Sequence, residues 1–157
     1  MKNFFLILVG VLWVGCNNIG IFEPPPVTTT DKALIEKLLA APETVSVEGK
    51  KLTLSTYMWR DFQPIAPVDG RPLIVIVFIS TIDSTPFPSS VFIDSVFVVN
   101  DTVAWKAQLI TSDNHQLPFR LEKYARNGPK WGPSIYVDVI IKLRDSNNNT
   151  FFLRASH

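Results

Sequence analysis

The sequence predicts an all-β protein, an antiparallel sandwich of about seven to eight strands preceded by one short helix. Three observations carry that expectation. From Val45 onward the apolar residues recur with a period of two, or run on through β-branched and aromatic residues, as pleated strands require. Gly, Pro, Asn and Asp interrupt these runs at short intervals, as tight antiparallel links do. Only DKALIEKLLAAP spaces its apolar residues as a helix does.

The N-terminus reads MKNFFLILVGVLWVGC. Lys2 supplies a short positive n-region, and residues 4–14 form an apolar run of signal-peptide length. Crossing a bilayer takes ~20 apolar residues, so this run is too short to span one. A core helix that is apolar on every face at the extreme N-terminus is the poorer reading. The residues Leu12, Trp13, Val14, Gly15 and Cys16 resemble the lipobox of bacterial lipoproteins, with Trp13 where that family usually has Leu. The resemblance implies that the Cys16 thiol is acylated, palmitate being the type of chain, and that residues 1–15 are removed. The mature chain is then held at a bacterial cell-envelope membrane, facing the periplasm or the exterior. Several acyl chains, at ~0.8 kcal/mol per buried methylene, anchor a soluble domain far better than one. Cys16 is the only cysteine, so it has no disulfide partner in the chain, and a linker-like segment follows it at once.

Residues 16–30, CNNIGIFEPPPVTTT, read as a stiff tether, because three successive prolines favour an extended conformation. Residues 31–41 read as an amphipathic helix. Leu34, Ile35, Leu38 and Leu39 share one face, Thr30 or Asp31 caps the start, and Pro42 stops it. About three turns of helix are marginal alone, so the apolar stripe is expected to dock on the domain.

The β-sandwich domain is placed at residues 44–157. Candidate strands are 44–48, 51–59, 73–82, 91–99, 103–110, 119–126, 135–144 and 150–155. Glu48-Gly49-Lys50, Asn100-Asp101-Thr102 and residues 145–149 (DSNNN) read as hairpin turns. LTLSTYM alternates, with Leu52, Leu54, Thr56 and Met58 on one face. LIVIVFI is apolar on both faces and is expected to lie centrally, its second face covered by the helix. Ile135, Val137, Val139, Ile141 and Leu143 read as one inner face. In strand number and spacing the domain resembles immunoglobulin-like β-sandwich modules; it lacks the Cys and Trp signature of antibody domains, and such a likeness of architecture implies no function. A partly closed barrel is the alternative.

Two segments concentrate recognition-type residues. YMWRDFQPIAPVDGRP brings Tyr57, Trp59, Arg60 and Phe62 to a strand end and loop, and Trp, Tyr and Arg dominate binding hot spots. The competing reading has the aromatics cap the sandwich while Arg60 and Asp61 meet solvent. ARNGPKWGPSI sets Lys130 and Trp131 between two Gly-Pro pairs, in a rigid turn. If both loops share one end, they make an apolar and basic patch. Asp138 lies within an apolar run and needs a partner, with Arg154 or Arg144 in reach across the last turn, as a structural ion pair.

Other chemistry is poorly supported. Removing Lys2 with the signal peptide leaves 14 basic residues against 14 acidic, which gives no basis for nucleic-acid binding. Arg120, Lys123, Arg126 and Lys130 are interleaved with Phe119, Tyr124 and Trp131, but Glu122 sits among them, and a solvated strand face is the expectation. His115 and His157 lack metal-ligand spacing, and no nucleotide or hydrolase motif occurs, so no metal or cofactor is expected. An enzyme using Asp61, Glu122 or Asp138 ranks last, because no acid and base can be paired. The expected function is that of a lipid-anchored envelope protein with a non-catalytic binding domain that meets another envelope protein or a surface glycan. The alternative is a carbohydrate-binding or enzyme-accessory module. Oligomeric state is not legible.

Overall fold

The computed structural model describes residues 24–112 and 117–155. The expected signal peptide (residues 1–15), Cys16 and the rest of the expected tether up to residue 23, His115 and His157 lie outside the described residues. Among the described residues ten strands form two antiparallel sheets of five, β1-β6-β5-β9-β10 and β2-β3-β4-β8-β7. They are β1 (Thr28–Thr29), β2 (Thr44–Val47), β3 (Lys50–Trp59), β4 (Leu73–Thr81), β5 (Phe92–Asn100), β6 (Val103–Gln108), β7 (Ile110–Thr111), β8 (Arg120–Gly128), β9 (Asp138–Arg144) and β10 (Thr150–Arg154). One helix, α1 (Lys32–Leu39), follows β1.

The expected hairpins form where the turn residues allow. The β2–β3 link holds Glu48 and Gly49 at φ +50° and +77°, the left-handed pair a tight hairpin needs. Asp101 and Asn148 take positive φ in the other two turns. The sheets pack face to face over an apolar layer. Leu52, Leu54, Val75, Val77 and Ile79 come from one sheet, and Val96, Val98, Trp105, Val139, Ile141, Leu143 and Leu153 from the other. The alternation read in LTLSTYM places Leu52 and Leu54 in this layer. At its edge Gly128 lies against the buried Trp105 indole, and a Cβ there would sit 2.8 Å from that ring and 2.9 Å from Leu73 Cβ.

Four expectations are corrected. The helix does not cover LIVIVFI: Ile35 and Leu38 pack with Phe97, Val99, Ala104 and Ile140, on the outer face of the other sheet. The outward residues of β4 are shielded laterally instead, Ile76 standing between Tyr57 and Tyr124, and Phe78 beneath the Arg120 guanidinium at 5.1 Å. Residues 103–110 are not one strand. The chain leaves β6 at Gln108 and joins the opposite sheet at Ile110, a corner of the kind that passes a strand between packed sheets. Residues 135–137 lie before β9, held in the loop that follows Pro133, so Asp138 opens the strand and Ile135 is exposed. Finally, Thr28 and Thr29, read as tether, pair with Trp105 and Ala104 as an edge strand. Thr29 Oγ1 then accepts from Asp31 N–H, and Asp31, the helix N-cap, accepts from Leu34 N–H at 3.2 Å.

A bulge in β5 falls between Ile93 and Ser95 and makes Asp94 the extra residue. Its carboxylate receives Arg144 Nε at 2.8 Å and Arg144 Nη2 at 2.9 Å, with Lys142 at 3.7 Å. The two hydrogen bonds from Arg144 hold the Asp94 carboxyl below its usual range, against a smaller opposing effect of burial. A depressed folded-state pKa stabilises the fold above the unfolded value and loses that contribution as pH falls through the folded one. Asp94→Asn is therefore expected to lower the urea midpoint at neutral pH. The gap from wild type should close as pH falls from about 5 to about 2, and a gap that stayed constant over that range would contradict the assignment.

Candidate functional site

β3 stops at Trp59, β4 starts at Leu73, and β8 hands the chain to β9 at the same end of the molecule. The sheet register alone therefore brings residues 60–72 and 129–137 together as neighbouring loops. What joins them is Arg60. Its Nε donates to Arg71 O at 2.9 Å, Nη1 to Trp131 O, and Nη2 to Asp69 O. One guanidinium fork thus holds three carbonyls on two loops, a use of five fixed donors that lysine could not reproduce. The Phe62 ring lies on the guanidinium at 4.7 Å. Gly70, at φ +75°, passes beneath it so closely that a Cβ would meet Phe62 Cε1 at 2.6 Å.

The first loop is also closed on itself. Arg71 N–H donates to Asp61 O at 2.8 Å, Gly70 N–H to Pro67 O at 2.7 Å, and the Asp61 carboxylate accepts from Gln63 N–H and lies 3.5 Å from Arg71 Nε. Between the loops, Lys130 Nζ meets Asp69 at 2.7 Å. That contact holds the Asp69 carboxyl below its ordinary range.

At the fork, the loops border an open slot of about 380 Å³, lined by Met58, Trp59, Arg60, Phe62, Leu73, Trp131, Ile135 and Val137 together with residues 132–134. Its volume falls in the range that receives a large side chain or a small ligand. Trp59 and Trp131, from separate segments of the sequence, line the same space. Tyr57 lies outside it on the sheet face, its ring 5.5 Å from that of Trp59. Lys130 stands away from the slot, on the Asp69 side of the second loop.

Arg60 does not stand in solvent as one sequence reading had it, nor is it a free recognition cation as the other did. The sequence also passes over Ile65, Val68, Ile135 and Tyr136, all exposed on these two loops. Ile65 and Val68 follow Pro64 and Pro67, where neither helical nor strand period runs, and that break in pattern was the available signal. Ile135 and Tyr136 were masked by the apolar run they lead into.

Asp138 and Arg154 meet away from the slot, Oδ1 to Nη1 at 3.7 Å, and Arg154 also reaches Glu43 at 3.5 Å. In the register Arg154 faces Ile140, so Asp138 is its diagonal neighbour. Among the described residues there is no group of three or more His, Cys, Asp or Glu side chains placed to hold a metal ion. The slot offers apolar surface, indole faces and backbone polar groups. It is equipped to receive and hold a group through stacking and burial, and the arginine beside it is committed to carbonyls. Comparison with family models, with curated proteins and with solved structures finds no match to this chain.

Arg60→Met removes the fork while keeping an apolar stem. It should lower stability by about 1–2 kcal/mol and speed hydrogen exchange at the Gly70 and Arg71 amides without affecting those in the centre of β4. Unchanged exchange in the loop would mean that the fork does not hold it.

Proposed function

We propose that this chain is a lipid-anchored cell-envelope protein whose immunoglobulin-like domain binds a second envelope component without catalysis. The observation that carries the binding role is the convergence of Trp59 and Trp131 on one slot, with its walls fixed in advance by Arg60. A surface whose loops are already ordered loses little conformational entropy on binding, and rigid aromatic anchors around a pocket supply most of the energy of typical interfaces. Two face-packed antiparallel sheets with loops gathered at one end favour the immunoglobulin-like comparison. The anchor rests on the sequence from Leu12 to Cys16.

A glycan as the bound component is the second reading. It is favoured by the exposed Tyr57 and Trp59 rings, which lie 5.5 Å apart, Trp59 in the slot and Tyr57 on the sheet face beside it, and offer aromatic surface to a sugar. The first reading is preferred because most of the side chains that line the slot are apolar, a lining suited to an inserted apolar side chain more than to the hydroxyls of a sugar.

In-cell cross-linking followed by mass spectrometry should capture a discrete partner. Trp59→Ala and Trp131→Ala should each weaken that cross-link at least about tenfold, while circular dichroism shows the domain still folded. If neither substitution changes any cross-link, the slot is not the contact. Fatty-acid labelling in a bacterial host should mark the wild type and be abolished by Cys16→Ser; an unlabelled wild type would remove the anchor.

A further inference from the structure

The prolines of the tether do not hang free. Residues 24–26 line one cleft together with Pro67, Arg71, Pro72 and Lys130, and a second with Trp105, Gln108 and Arg126. Val27 O accepts from Lys106 N–H at 2.9 Å, which fixes the chain just before β1. Only seven residues then stand between Cys16 and Pro24, and the eight Cα-to-Cα steps across them span at most about 28 Å. Pro24 lines a cleft with Pro67 and Arg71, so the 60–72 loop stands near the end of this short span from Cys16.

The loop is unusual in what it exposes. Val68 is fully exposed, Ile65 is 85% exposed, and Tyr136 on the neighbouring loop is 96% exposed. Single apolar residues on a surface are ordinary, but here they crown two loops tied together by Arg60 and by the Asp69–Lys130 pair. The charge at this crest also suits a negatively charged surface. Arg60, Arg71 and Lys130 stand there against Asp61 and Asp69, which leaves one net positive charge, and Arg126 lines a cleft together with the three prolines. Apolar tips beside cations and a tyrosine are what the interfacial zone of an anionic bilayer accepts, with the aromatic ring at headgroup level.

We infer that the crest of residues 60–72, with Tyr136, docks on the lipid surface to which Cys16 is anchored, so that the domain lies against its membrane. This rests on the reading of Cys16 as an anchor and adds a second, reversible contact to it. One apolar loop alone binds lipid weakly. Next to a covalent anchor the same loop acts at high effective concentration, and modest affinity suffices to orient the domain. A partner seated between Trp59 and Trp131 is then met at the membrane surface.

The test uses the full chain in membranes from a bacterial host, with a single thiol added as Val68→Cys or, at the far end of β9, as Asn147→Cys. Both positions are exposed, and an acylated Cys16 offers no thiol to a polarity-sensitive maleimide dye. The dye at Val68→Cys should emit to the blue and be quenched by nitroxide-labelled lipid, while the dye at Asn147→Cys should emit as in water. A water-like signal at both sites, in protein that sediments with membranes and takes no label at Cys16, overturns the inference and leaves the anchor standing. A blue shift at Val68→Cys that lipid nitroxides do not quench indicates a protein neighbour and also overturns it. Label on Cys16 of the wild type in a soluble fraction removes the anchor instead. Flotation with vesicles of phosphatidylglycerol and phosphatidylethanolamine then decides. Binding weakened about tenfold by Ile65→Asp with Val68→Asp supports the docking surface, and no binding overturns it.

Discussion

The apolar layer between the two sheets is the constraint on which the rest of the molecule depends. Leu52, Leu54, Val75, Val77 and Ile79 meet Val96, Val98, Val139, Ile141 and Leu143 across it, and the Trp105 indole, at 1% exposure, fills its edge against Gly128. Face-packed sheets settle about 10 Å apart because interdigitated side chains leave no other spacing. Once that spacing is set, the ends of β3, β4, β8 and β9 are fixed in space, and with them the two loops they carry. With no second thiol to form a bridge, nothing covalent holds the sheets together, so the layer itself must do so.

On that frame, charge is spent on architecture. Arg60 ties three carbonyls, Arg144 holds the bulged Asp94, Lys130 holds Asp69, and Arg154 lies between Glu43 and Asp138. At the opposite end Glu48 accepts from Ser90 and from Ser146, linking the first hairpin turn to the last, and those hydrogen bonds keep its carboxyl low. Arg60 beside Trp59, Tyr57 and Phe62 looks in sequence like part of a recognition surface. In the fold the cation is consumed by the loops, and the indoles remain as the surface. What the fold leaves at this place is a slot lined mainly by apolar side chains, with its arginine already committed to backbone carbonyls.

The helix and the tether share a theme of local segments captured by the domain. α1 is too short to persist alone, and Ile35 and Leu38 are stabilised by Phe97, Val99 and Ile140. Its N-cap is prepared by Thr29, which is itself held in register by Trp105 and Ala104. The consequence is a short leash. About half of the segment that reads as linker lies against the domain, which leaves seven residues between Cys16 and Pro24.

The sequence by itself determined the strands, because a period of two along LTLSTYM and the β-branched run of LIVIVFI can be buried in few ways other than as pleated strands. It also determined the turns, since Gly49, Asp101 and Asn148 supply the backbone conformations that tight reversals need, and the helix, ended before Pro42, leaving its cap open between Thr30 and Asp31, of which the structure takes Asp31. It marked Trp59 and Trp131 as neighbours only conditionally. The tertiary structure decided which sheet the helix covers, because both sheets present apolar outer faces and the choice lies in three-dimensional fit. It decided that residues 103–110 divide between the sheets, since no local pattern encodes a corner. It also decided what Arg60 does, because the carbonyls it binds belong to residues 69, 71 and 131. Local periodicity is written in neighbouring residues, whereas a hydrogen bond across seventy residues exists only after the layer between the sheets has brought its two ends together.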